Sequence, residues 1–153
     1  MLIRSEFQPR LGGKLRAVAA VAEEILAAPR IDGVTISGGE PFDQADAVFE
    51  LIRRVRRRND RLTFFVFSGY TFAELDSRYA IGRRPDQPDA LLCGPFRREN
   101  APDYERFLPS ANQELISLTD RLNADDFRDL PLHEEIIRAD GTVLRSGILR
   151  QAR

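Results

Sequence analysis

Three short apolar runs in this chain each break into a turn that contains glycine. GVTIS (33–37) runs into GGEP, LTFFVF (62–67) into SGYT, and DALLC (89–93) into GPF. An unbroken apolar run such as LTFFVF suits a strand covered on both faces. Between the first two runs, Val48, Leu51, Ile52 and Val55 recur at i, i+3, i+4, i+7 and form one face of a helix, with Asp43 as its expected cap. Ahead of them, Leu15, Val18, Ala22, Ile25 and Leu26 form a helical stripe that Pro29 ends. A short helix over 72–78 follows SGYT. Strands alternating with helices imply right-handed crossovers and a parallel sheet. The three turns then fall at the carboxyl ends of strands, where ligands of α/β folds gather, and point to one shared pocket.

The rest of the chain bounds this picture. The 153 residues suffice for one domain, 1–153, with a real core. A net charge of -1 argues against a general nucleic-acid partner. No apolar run approaches the roughly 20 residues that span a membrane, and MLIRSEFQPRLGG lacks a secretory stretch, which makes the expected location cytoplasmic. The arginines 53, 54, 56, 57 and 58 read as a solvated face at a helix C-terminus, where their charge also suits the dipole. One cysteine, Cys93, and one histidine, His133, exclude an intrachain disulfide and a self-contained Cys/His metal site. Cys93 lies in a buried run and is expected to behave as a small hydrophobe, and His133 as a packing or surface residue. RRENAPDYERFLPSANQ (97–113) is a polar loop too long for a mere connector. Further on, 134–139 and 142–145 flank Asp140-Gly141, the pattern of a β-hairpin.

The sharpest chemistry lies in Ser37-Gly38-Gly39-Glu40-Pro41. Two residues without side chains let a ligand approach the main chain. Glu40 supplies an anion for an ammonium group, and Pro41 suits the first turn of a helix. Together they can grip an amino-acid-like head group. The same residues also suit a plain tight turn with Glu40 in solvent. They do not form a phosphate loop, since neither GxxxxGK[ST] nor GxGxxG is present.

SGGEP after an apolar strand resembles the radical S-adenosylmethionine (SAM) enzymes. It looks most like the small activating enzymes of glycyl-radical proteins, the anaerobic ribonucleotide reductase activase type. VFSGYTFAEL (66–75), DALLCGPF (89–96), PSANQELI (109–116) and IIRADGTVLRSGIL (136–149) are similar to further segments of that group, so the likeness covers roughly 12–149. It implies a partial (β/α) barrel with a C-terminal hairpin, lacking the first strand. It further implies that Gly38, Gly39 and Glu40 bind the methionyl amino end of SAM, that Ser37 and Pro41 shape the turn, and that Ser68 and Gly69 lie near the ribose or methionyl part. Asn112 and Gln113 would order a loop over the pocket or bond within it, and Tyr70 would pack. The implied partners are a glycyl-radical enzyme and an electron donor of flavodoxin or ferredoxin type.

The resemblance also implies a 4Fe-4S cluster held by C-x3-C-x2-C, and this chain lacks those cysteines. Phe7-x-Pro9 and Gly12-Gly13 match the segment after the family's last cluster cysteine, where Glu6 stands instead. No residue is therefore assigned as catalytic or as a metal ligand. Two expectations follow: an N-terminally truncated activase, or a cluster-free relative that docks on a reductase. Other radical SAM chemistry on a small molecule is a third. Without a first strand, the 33–37 strand would expose a parallel edge, which invites dimerisation or marginal stability unless Met1 to Phe7 pairs there.

Overall fold

The computed structural model describes residues 15–100, 108–127, 133–137 and 141–147. Helix α1 (Val18–Ala27) leads into strand β1 (Gly33–Ile36), then α2 (Ala45–Arg56), β2 (Thr63–Phe67), α3 (Phe72–Tyr79), β3 (Ala90–Cys93) and β4 (Glu114–Ser117). A separate hairpin pairs β5 (His133–Ile137) with β6 (Val143–Gly147), antiparallel, as Asp-Gly at 140–141 leads one to expect. The main sheet has the order β1-β2-β3-β4.

β1, β2 and β3 are parallel, in agreement with the alternation of strands and helices. β4, a strand that the sequence reading leaves within a mixed stretch, adds an antiparallel member to this parallel sheet. It runs antiparallel to β3, with Leu91 opposite Ile116 and Cys93 opposite Glu114. This strand follows directly on the polar run 97–113, and ELIS is too short and too polar at its ends to advertise a strand. Strands β1 to β4 form an open four-stranded sheet. β1 is its edge, pairing only with β2 among the described residues. Residues 1–14, including Glu6, Phe7, Pro9 and Gly12-Gly13, lie outside the described residues.

Side chains alternate across the sheet. Val34, Ile36, Phe64, Val66, Leu91 and Cys93 face the helices, packing with Ala22, Val48, Phe49, Ile52, Val55 and Leu75. Phe65, Ala90 and Leu92 face the other way, against Leu108 and Phe127. Both faces of β2 and β3 are therefore covered, which is why these runs read as unbroken apolar stretches. Two details of the helices differ from the sequence reading. Leu15, at one end of the stripe, is fully exposed, because α1 begins only at Val18. Asp43 does not cap α2. Pro41–Gln44 form a 3-10 turn ahead of the helix, and Glu40 caps that turn by accepting from Phe42 N.

The arginine run divides as well. Arg53 and Arg54 pair with Glu50, and Arg58 pairs with Glu23 on α1. Arg56, expected on a solvated face, turns inward instead. Its guanidinium lies over the Phe64 ring and donates to Gln87 O (2.7 Å) and Asp89 Oδ2 (2.9 Å). Asp89 is fully buried and also accepts from Phe64 N (2.7 Å) and Thr119 Oγ1 (2.7 Å). Its main chain binds on both sides, donating to Phe64 O and accepting from Leu118 N. One carboxylate thus joins α2, β2, β3 and the segment after β4.

Candidate functional site at the strand-end turns

The turns after β1 and β2 meet through Glu40. Its Oε1 accepts from Phe42 N (3.0 Å) and Ser68 Oγ (2.9 Å), and its Oε2 accepts from Gly69 N (2.7 Å). The solvent-facing alternative for this side chain is therefore replaced by a bonded one. A carboxylate offers about four acceptor sites, so these three donors leave one on Oε2. Ser37, Gly38 and Gly39 are exposed, and Pro41 is buried beneath them. Gly38 and Gly39 have φ of +90° and +52°, where a side chain would be strained, and no atom lies within 4 Å of where a Cβ would stand. The main chain there is bare and open next to a fixed anion. Ser68 is buried and Gly69 exposed.

Tyr70 is more than packing. Its hydroxyl donates to Asp43 Oδ1 (2.9 Å), which ties the SGYT turn to the 3-10 turn after SGGEP. That bond pushes the phenol above its usual value, while Arg78 over the ring opposes the shift. Behind it, Thr71 caps α3 in a reciprocal box with Glu74, whose carboxyl is held below its usual range by the Thr71 N–H and hydroxyl.

The third turn, Gly94-Pro95-Phe96, is joined to the SANQ segment. Gly94 has φ of +109°, and an added Cβ would meet Gln113 Cα at 3.5 Å. Gln113 Nε2 donates to Gly94 O (2.9 Å) and Asn112 Nδ2 to Pro95 O (2.8 Å). Asn112 also accepts from Asn100 Nδ2 (2.7 Å). Both residues therefore brace the GPF turn by bonding within the loop region. Their pairing was not legible in the sequence, because nothing in local spacing links position 113 to position 94.

A cavity of about 370 Å³ lies on the sheet face away from the helices, lined by Gly33, Thr35, Thr63, Phe65, Phe67 and Phe127 among others. It includes none of Ser37–Pro41, Ser68 or Gly69, and its polar side-chain groups are the two threonine hydroxyls. No charged side chain lines it.

The donor set does not fit an iron–sulfur cluster. Such a cluster needs soft thiolates, and the 153 residues contain one cysteine. Cys93 is buried, and burial pushes its thiol up to about 11, with Glu114 across the strand pair adding to the shift and a hydrogen bond with the Phe72 main chain opposing it. Among the described residues no group of three or more His, Cys, Asp or Glu could hold a metal. Also among them, no helix is long and apolar enough to cross a membrane.

The Cys93 environment sets a measurable expectation. At about pH 8, iodoacetamide leaves the folded chain unmodified over a period in which the urea-unfolded chain reacts fully. Because the folded value is raised, the neutral thiol contributes stability below the ordinary thiol range. That contribution is lost as pH rises through about 11. Rapid alkylation of the folded chain at about pH 8 would contradict the buried placement.

The family model described as a 4Fe-4S single cluster domain matches residues 8–116. The anaerobic ribonucleoside-triphosphate reductase-activating protein of Vibrio cholerae is 34% identical over 90 residues, 57% of this chain and 56% of that protein. The chain thus spans about half the length of the curated relative it matches. No solved structure matches. The resemblance to reductase activases drawn from SGGEP and the ordered segments after it is borne out at the level of family: the chain belongs to the 4Fe-4S single cluster domain family.

Proposed function

We propose that this chain binds S-adenosylmethionine at the SGGEP and SGYT turns and serves a protein that activates an anaerobic ribonucleotide reductase. The observation that carries the first half is Glu40, anchored by three donors beside the open main chain of Gly38 and Gly39. The free acceptor site on Oε2 suits the methionyl ammonium, and the exposed glycine backbone suits the rest of the amino-acid end. Ser37 and Pro41 set the path of the turn, and Ser68 and Gly69 hold the carboxylate in place. The second half is supported by the name of the Vibrio cholerae relative. In this reading the partner is a glycyl-radical enzyme, served by a flavodoxin- or ferredoxin-type electron donor, and the radical is made on a glycine of that partner.

These 153 residues supply a holding site and not the thiolates of a cluster, so no radical step is assigned to them. The single buried cysteine favours a second reading, a cluster-free module that docks on a reductase.

Calorimetric titration with SAM tests the first reading, binding to a reductase without binding of SAM marks the second, and iron analysis after anaerobic reconstitution tests the absence of a cluster that both share. Saturable one-to-one binding without stoichiometric iron is expected of the chain. No binding at millimolar SAM removes the cofactor assignment. Stoichiometric iron would show a cluster held by means other than a cysteine triad.

A further inference from the structure

Five hydrogen bonds connect the SANQ, GPF, SGYT and SGGEP segments in series, joined at Gly94 and Tyr70 through each residue's own backbone. Ser110 Oγ donates to Gln113 Oε1 (3.1 Å) and Gln113 Nε2 to Gly94 O (2.9 Å). Gly94 N donates to Tyr70 O (2.7 Å), Tyr70 N to Ser68 Oγ (3.1 Å), and Ser68 Oγ to Glu40 Oε1 (2.9 Å). The direction is forced by chemistry. Glu40 as a carboxylate only accepts, so Ser68 must donate to it and is left to accept from Tyr70. Gly94 O likewise only accepts, which turns the Gln113 amide nitrogen toward it and the amide oxygen toward Ser110. Ser68, Gln113 and Ser110 are all buried, at 5%, 7% and 0% exposure. Water therefore competes poorly for these bonds, and Gly94 and Tyr70, each bonded through both its N–H and its C=O, link them mechanically.

We infer that Gln113 is a positioning residue for Glu40, acting through this series of bonds although it belongs to the far side of the sheet. The inference rests on the reading of Glu40 as the ligand anchor. It assigns Gln113 no contact with the ligand. Removing its amide leaves Gly94 O without its donor and leaves Asn112, at Pro95 O, to brace the GPF turn alone. Gly94 N is then less firmly placed on Tyr70 O, and Tyr70 N less firmly placed on the Ser68 hydroxyl that bonds Glu40.

The test compares Gln113→Met, which keeps length and volume but neither donates nor accepts strongly, with Ser68→Ala and the double variant. Two quantities are read on the full chain: the SAM dissociation constant and the residue-resolved amide exchange of Gly69, whose N–H sits on Glu40. Gln113→Met is expected to weaken SAM binding about tenfold. It should also speed Gly69 exchange about tenfold while Val66 and Leu91 in the same molecules stay protected. The double variant should be no worse than Ser68→Ala alone, because both changes break one chain; independent roles would multiply. Multiplying effects, or unchanged Gly69 exchange in Gln113→Met, would overturn the inference. If the native chain binds no SAM, the cofactor reading fails by itself, and the exchange cycle still decides the coupling. Should Gln113→Met not fold, Ser110→Ala interrupts the chain one bond earlier and is read by the same cycle.

Discussion

Replacing Asp89 with alanine is expected to lower stability by about 3–5 kcal/mol, the usual cost of breaking a buried ion pair from one side. The deletion strips acceptors from Arg56, Phe64 N and Thr119 at once. The Phe64 N–H is left inside a core where Phe64 itself is fully buried. Arg56 stays over the Phe64 ring with its side chain largely shielded and its Nε already without a partner. A domain of this size has about 5–15 kcal/mol in total, so a large part of its stability would disappear. In a urea melt the midpoint should fall by about 2 M, given a slope of roughly 2 kcal/mol per M. Arg54→Ala is the matching control. Its pair with Glu50 lies at the surface, and its loss should cost less than about 1 kcal/mol. A comparably small loss for Asp89→Ala would mean that the carboxylate is not the junction its bonds describe.

Glu40→Gln is the second large effect, and it falls on binding more than on folding. The substitution keeps the shape and removes the charge. It also replaces one acceptor oxygen by an NH₂ group, which must then face either Gly69 N–H or the pair of donors from Phe42 and Ser68. Neither orientation satisfies all three. Loss of a charge-assisted bond corresponds to about 1.5–3 kcal/mol, so SAM affinity should drop by at least about tenfold. The nucleoside 5′-methylthioadenosine lacks the methionyl amino end and provides the internal comparison. Its binding should change little between the native chain and Glu40→Gln. An equal loss for both ligands would show that the substitution disrupts the pocket as a whole. No loss for either would take Glu40 out of the site.

The local patterns of this chain are honest guides to its local structure. The apolar runs at 33–37, 62–67 and 89–93 become β1, β2 and β3 because their side chains meet protein across the sheet. The i, i+3, i+4 pattern after Pro41 becomes α2, with Phe49 as an extra buried position that the stripe omitted. Gly38, Gly39 and Gly94 take positive φ, as turns built on bare backbone should. Arg56 shows where such reading stops. In sequence it is one of five neighbouring arginines, and only the fold brings Asp89, 33 positions away, within 2.9 Å.

The same limit applies to the candidate site. Periodicity and turn chemistry act over a few residues, so the sequence by itself determined the strand-turn-helix units, the hairpin and the glycine-rich main chain that a ligand can approach. Contacts between units carry no local signature. Tertiary structure alone decided that β4 runs antiparallel, that Glu40 is held by Ser68 and Gly69, and that Gln113 bonds the main chain of Gly94. The physical reason is burial: once the sheet closes water out, each polar group must find a partner wherever the fold has brought one.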